Sequence, residues 1–447
     1  MPSGELFLTA PPDGAMRRRS DPLGLRLIAD RYADVIAPGM NARCTDAHWL
    51  LHLGWMLPML HAARPDLMDL EPADRYAWLR PLELLVVRCG LLSFGASHGN
   101  GAQLPGRRAM LPYLDDTHHL RRERFGMSQH TWQRYRQAGA YGAYRTMLRR
   151  ISGFTGLEGQ EGDGWTVGRV AAALGQDAID HLGLKRPMSV DGKRSPVEYW
   201  WDWWRPRWDG LATSWWRPLS TKERVNPLPS WPGVQALRTA FAKGQDADAH
   251  ARHWTIERMA ASRAADEAEL LSELEEQHDQ LHGLTAFAAL TDHAMAVLEA
   301  IAKGIDPDID LEGAALRDAS EACERAIVAT QKSARRWRDA KRPGWLLAMG
   351  SDLVDRLAFD VMAARRPEQA VRVLLDHHRE HGHGAPWLSL HAGRIHLIST
   401  VGSQRSTRYA YRLWQLGRLA TQLRLLSAEV VARLWGSVEP EMDAGDD

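Results

Sequence analysis

Residues 284–304 read LTAFAALTDHAMAVLEAIAKG, and their apolar positions recur with a helical period until Gly304 ends the run. Strands would show a period of two, so the clearest pattern in the chain is that of a helical protein. The same periodicity continues on the C-terminal side through 310–340 (DLEGAALRDASEACERAIVATQKSARRWRDA) and 345–382 (WLLAMGSDLVDRLAFDVMAARRPEQAVRVLLDHHREHG). It breaks at 385–400, APWLSLHAGRIHLIST, where alternating residues around His391-Ala392-Gly393 predict a small β-hairpin. A last helical stretch, 408–427, precedes an acidic tail.

On the N-terminal side, residues 247–281 predict a long helix or a pair of helices. In 21–38, DPLGLRLIADRYADVIAP, the residues Leu25, Ile28, Tyr32, Val35 and Ile36 share one face, and Pro38-Gly39 ends the helix. Residues 44–64, CTDAHWLLHLGWMLPMLHAAR, are apolar nearly all round and predict a buried helix capped by Thr45 or Asp46. RPLELLVVRCGLL, 80–92, predicts a third core helix that carries a carboxylate, Glu83, with Arg88 as its expected neighbour. Helical segments follow around a Gly-Ala-Tyr-Gly break in 128–151. The next piece, GFTGLEGQEGDGWTVGRVAAALG, reads as two short extended strings and then a helix starting near Thr166, which is compatible with a winged-helix module.

Prolines 187, 196, 206, 218, 227, 229 and 232 forbid long regular elements in between. The fold class read from the residues is therefore mainly α. Residues 1–184 form an N-terminal helical domain with room for a winged helix, and 185–233 form a Trp/Pro-rich connector. Residues 234–436 form a C-terminal helical domain with the small hairpin, and 437–447 the acidic tail. No internal repeat is visible.

With 447 residues, 45% apolar and 25% charged, there is ample material for more than one core. A formal charge of zero removes whole-molecule electrostatics as a reason for nucleic-acid or membrane binding. Cys44, Cys89 and Cys323 are too few and too scattered for a disulfide framework, which fits a cytoplasmic protein. No secretory signal is recognised at the start, and no run reaches the ~18 uncharged apolar residues of a membrane helix.

Charge collects locally. Between 101 and 150 stand ten arginines against three acids, and 394–424 holds six arginines and no acid. Such clusters are the footprint of phosphate neutralisation, and Arg134, Arg136, Arg145, Arg149, Arg150, Arg405, Arg408 and Arg412 are the candidate nucleic-acid contacts. They are equally the residues of solvated faces and internal ion pairs. Seven of the nineteen tryptophans fall in 195–218, SPVEYWWDWWRPRWDGLATSWWRP. Glu198–Trp204 reads as one or two helical turns stopped by Arg205-Pro206. Trp200, Trp203 and Trp208 are the candidate aromatic platform, set against a role as a wedge between domains.

Chemistry is harder to find. In LLDHHREHGHG, His377 and His381 at i, i+4, with His383, can present imidazoles to one metal, although the Glu of His-Glu-x-x-His is absent. A basic helix end is the simpler account. Gly-x-Ser-x-Gly, Walker A and dinucleotide fingerprints are missing, and Pro307 spoils a calcium loop at Asp306, Asp308 and Asp310. No cofactor is expected.

Four stretches carry a resemblance: residues 23–57, LGLRLIADRYADVIAPGMNARCTDAHWLLHLGWML; 80–92, RPLELLVVRCGLL; 139–158, GAYGAYRTMLRRISGFTGLE; and 164–175, GWTVGRVAAALG. They resemble an uncharacterised bacterial family of unknown function associated with phage-defence gene neighbourhoods. Thr45-Asp46-Ala47-His48-Trp49 lacks that family's arginine, and Thr166-Val167-Gly168 is compressed. The resemblance covers under half the chain and carries no catalytic residue. It implies a context: a non-enzymatic, nucleic-acid-binding or scaffolding subunit of a multi-protein defence system. The alternatives are a metal-dependent hydrolase or nuclease using His377, His381 and His383, and a protein–protein adaptor that binds no nucleic acid.

Overall fold

Apolar periodicity becomes helix along most of the chain. A computed structural model describes residues 21–94, 105–113, 122–190, 194–204, 227–305, 313–349, 352–383, 387–398 and 409–436. Its helices of eight or more residues are α1 (Arg26–Ile36), α2 (His48–Ala63), α3 (Pro72–Phe94), α4 (Gln129–Ala138), α5 (Ala140–Arg150), α6 (Arg169–Leu182), α7 (Pro196–Trp204) and α8 (Pro232–Ala242). They continue with α9 (Ala247–Ala261), α10 (Glu267–Gln277), α11 (Leu284–Lys303), α12 (Glu324–Asp339), α13 (Asp352–Ala363), α14 (Pro367–His381), α15 (Leu413–Gln422) and α16 (Ala428–Trp435). A three-stranded antiparallel sheet, in the order β1 (Ala314–Ala315), β3 (Arg394–Leu397), β2 (Leu388–His391), completes the described structure. The protein is mainly helical with a small sheet in its C-terminal half.

Contacts divide the chain into two units, and neither is a continuous piece. Unit 1 draws on Met1–Val35 and Ala264–Tyr411; unit 2 draws on Ile36–Arg263 and Arg412–Val438. The sequence partition at 185–233 thus falls inside unit 2.

In unit 1, α11 packs along α12, α12 along α13, and α13 against α14. Leu284, Phe287, Leu290, Ala294, Val297, Leu298 and Ile301 of α11 are buried, the stripe its period predicts. By length and composition alone, Asp279–Lys303 is also long and apolar enough to cross a membrane. Its buried stripe inside unit 1 is what a core helix presents, and Asp292 and Glu299 interrupt its apolar run. The hairpin forms where expected. Ala392 and Gly393 both adopt positive φ, 49° and 76°, which suits a two-residue turn between right-twisted strands.

In unit 2, α2 lies against α6, α6 against α8, and α3 against α7. Helix α2 is buried nearly all round. Its N-cap position is Ala47, but Asp46 still serves the first turn by accepting from the His48 amide (2.9 Å) and His48 Nδ1 (2.8 Å). Residues 247–281 are two helices, α9 in unit 2 and α10 in unit 1, the second followed by a 3-10 turn. One expectation fails. Residues 151–168 contain turns and no strand, so the hairpin a winged helix needs is not there. Their glycines serve close packing instead: a Cβ on Gly162 would lie 2.2 Å from Thr155 Oγ1, and one on Gly168 2.3 Å from the Gly153 carbonyl. Thr155 Oγ1 bonds the Leu148 carbonyl and the Gly164 amide, tying the loop to the end of α5.

Candidate functional site

The histidine string ends α14, and the ring nitrogens of His377 and His378 face the chain's own backbone. His377 Nε2–H donates to the Leu23 carbonyl at 2.9 Å. His378 Nδ1–H donates to the Pro22 carbonyl (2.9 Å), which leaves Nε2 to accept from the Trp387 amide (3.0 Å). Asp21 pairs with His383 through backbone bonds only, 3.0 and 2.8 Å. The Asp21 carboxylate caps α1 by accepting from the Leu25 and Arg26 amides, and it accepts from the Tyr409 hydroxyl at 2.6 Å. Gly24, at φ 67°, brings its backbone so close that a Cβ would sit 2.2 Å from the His381 carbonyl oxygen. Burial pushes His377 down to about 4 and lowers His378 too, which keeps both neutral and able to hold this tautomer pattern. His381 is half-buried with its ring 4.9 Å from that of His377, and His383 is exposed. Among the described residues no three His, Cys, Asp or Glu side chains are grouped to hold a metal. This is a clasp for the entry of α1.

The described part of the tryptophan segment becomes α7, and Trp200, Trp201 and Trp204 are buried. Trp200 Nε1 donates to the Trp78 carbonyl of α3 at 2.7 Å, and Trp204 stacks on Trp55 of α2 with centroids 6.4 Å apart. Trp203 is half-buried and donates to the Lys185 carbonyl at 3.1 Å. Trp200 is therefore a core residue of unit 2 and no open platform; Trp208 lies outside the described residues.

Of the candidate arginines, Arg405 and Arg408 lie outside the described residues, as does the side chain of Arg136. Arg412, in the left-handed region at φ 65°, precedes α15. Arg150 makes a two-pronged pair with Asp248, 2.7 Å on each prong, and Arg149 pairs with Glu161 (2.9 Å) while donating to the Gly162 carbonyl. Arg169 pairs with Glu158 at 2.5 Å. Two of the ten arginines counted up to Arg150, Arg149 and Arg150, are thus met by acids further along the chain. Arg134 and Arg145 are exposed and make no hydrogen bond or ion pair among the described residues.

Sequence reasoning singled out Glu83 but misplaced its partner. Its Oε1 accepts from the Tyr141 amide at 2.9 Å and also from the Ala140 amide, so the carboxylate caps α5. Arg88 points elsewhere, with Nε toward the Tyr113 carbonyl at 3.4 Å. Burial pushes Glu83 up to about 7 against those two amide bonds. One and two turns before it stand Arg80 and Tyr76, at the i, i+4, i+7 spacing of a single helix face. Arg80 is held between two rings, 4.6 Å from Tyr76 and 4.5 Å from Trp132. Tyr135 fills the corner where α4 meets α5. The spacing of Tyr76, Arg80 and Glu83 was a readable signal, but only the fold brings Trp132 and Tyr135 to them. No family model, curated protein or solved structure matches this chain.

Proposed function

We propose that the chain is an architectural subunit of a bacterial anti-phage assembly in the cytoplasm, acting by binding rather than by bond chemistry. One observation carries the reading. The clusters that suggested chemistry are committed to internal bonds, His377 and His378 to backbone carbonyls and Trp200 to the core of unit 2. Within that role, nucleic acid is contacted through Arg134 and Arg145, two exposed arginines of the N-terminal cluster that make no partner bond among the described residues. Phosphate neutralisation needs such free cations at a surface.

The test is a titration of the purified chain against duplex DNA and against single-stranded DNA and RNA, across salt concentration. Affinity should fall with rising salt, and the Arg134→Glu, Arg145→Glu double variant should weaken it by about tenfold or more at low salt. No affinity at low salt would remove nucleic acid from the reading. What remains then is the protein–protein adaptor. That reading is favoured by Val328, Leu347 and Phe359 of unit 1, which are 57%, 63% and 66% exposed.

A further inference from the structure

Helix α12 of unit 1 carries a row of cations that the fold leaves unneutralised. Arg325, Lys332, Arg335 and Arg336 are exposed and make no hydrogen bond or ion pair among the described residues. They lie on the face opposite the buried Ile327, Thr330, Ala334 and Trp337. The two acids of this helix stand at its ends, and Asp339 is taken by Arg338 at 2.8 Å. Val328, 57% exposed, sits between Arg325 and Lys332 on the same face. Helix α13 runs antiparallel beside α12. Gln331 Nε2 donates to the Val361 and Ala364 carbonyls (3.3 and 2.8 Å), and Trp337 Nε1 donates to the Asp355 carboxylate (2.9 Å). That register brings Phe359, 66% exposed, level with the Lys332–Arg335 turn. The face is therefore basic with apolar side chains set into it.

A surface of matching chemistry lies in the same unit. Helix α10 carries glutamates and no cation, and it buries Leu270, Leu271 and Leu274. Glu269, Glu273 and Glu276, at i, i+4 and i+7, share the opposite face. Glu273 and Glu276 make no bond among the described residues, and the Glu269 carboxylate accepts from the Ala265 amide at 2.8 Å. Seven residues separate Glu269 from Glu276, and seven separate Arg325 from Lys332. Each pair spans about 10.5 Å of helix axis, so two charges of one row can meet two of the other together. A net charge of zero sets no overall repulsion between copies of this chain.

We infer that unit 1 binds a second copy of the chain, the α10 glutamate row of one copy lying on the basic α12–α13 face of the other. Exposed ion pairs supply orientation and partner choice more than affinity, and Val328 and Phe359 supply the apolar surface that holds the contact. In a two-fold pair the contact is made twice; head to tail, it repeats into rings or filaments. This extends the architectural role proposed above to self-assembly, and it does not depend on Arg134 or Arg145.

Sedimentation velocity of the full chain, over a range of protein concentration at low and high salt, tests this. Association should grow with concentration and recede as salt screens the two rows. Two charge reversals, Lys332→Glu with Arg335→Glu and Glu273→Lys with Glu276→Lys, should each lose self-association while keeping the parent's thermal transition. Mixed together they should associate again, because each then carries the row the other lacks. The milder Lys332→Gln, Arg335→Gln variant should weaken association in the same direction. A parent that stays monomeric at low salt overturns the inference, as does a mixture of the two reversals that stays monomeric where the parent associates. Binding of a monomeric parent to phosphatidylserine vesicles or DNA through Lys332 and Arg335 would give the face to a different partner and overturn it too. The Arg134→Glu, Arg145→Glu variant should associate like the parent, which separates this result from the nucleic-acid reading.

Discussion

Two buried histidines make single side chains matter to the chain's response to acid. His377 falls from 6.5 in an open chain to about 4 in the fold because burial disfavours its charged form. Above pH ~6.5 the ring is neutral folded or unfolded, and the clasp contributes in full. Between 6.5 and 4 the unfolded chain takes up a proton that the fold refuses, so stability drops as pH falls and levels off below about 4. His378 and His52, the latter pushed down to about 3 by burial, act in the same direction. The loss from His377 alone should approach about 3 kcal/mol. Denaturant titrations from pH 7 to 4 should show it, and His377→Gln, whose amide can still donate to Leu23, should flatten part of the slope. An unchanged slope in that variant would remove His377 as the cause. At this scale the sequence was legible in residue type but not in partner. The histidines were visible as a cluster, yet whether they face a metal or a carbonyl depends on Pro22 and Leu23, more than 350 positions away.

Elements were easier to read where local pattern and burial agree. Helix α11 and the β2–β3 hairpin were both expected: an apolar stripe of the right period needs only a core, and Ala392-Gly393 needs only strands to join. The stretch at 151–168 misled because glycine and acidic residues look the same whether they make a wing or a packed loop. Only the approach of Thr155 and Gly153 to Gly162 and Gly168 separates the two. A charge count along the chain likewise omits partners brought in by folding: Glu161 and Asp248 reach Arg149 and Arg150 from outside the basic stretch. Helix α7 gives the sharpest test of element-level assignment. If Trp200 is a core wedge, Trp200→Ala removes a fully buried indole and its bond to Trp78, and should cost about 3–5 kcal/mol of unfolding free energy. A variant as stable as the parent but poorer at holding a ligand would restore the platform.

Across the whole molecule, each unit is closed by distant chain segments. In unit 1, residues 21–25 are bound by α14. In unit 2, Gln422 of α15 reaches the Ala47 amide with its side chain (2.6 Å) and the Leu228 amide with its carbonyl (2.8 Å). A cut near residue 233 therefore divides both units. Residues 234–436 expressed alone should lack a cooperative thermal transition, and co-expression with residues 1–233 should recover one. Cooperative unfolding of the isolated C-terminal piece would show that contact-defined units are not folding units.

The clasp also sets a timetable. Leu23 is made 354 residues before the His377 that secures it. At ~5–20 residues/s, the apolar face of α1 waits for tens of seconds without its permanent partner. During that interval the nascent chain presents Leu25, Ile28 and Tyr32, all buried in the finished fold, to whatever is nearby, chaperones included.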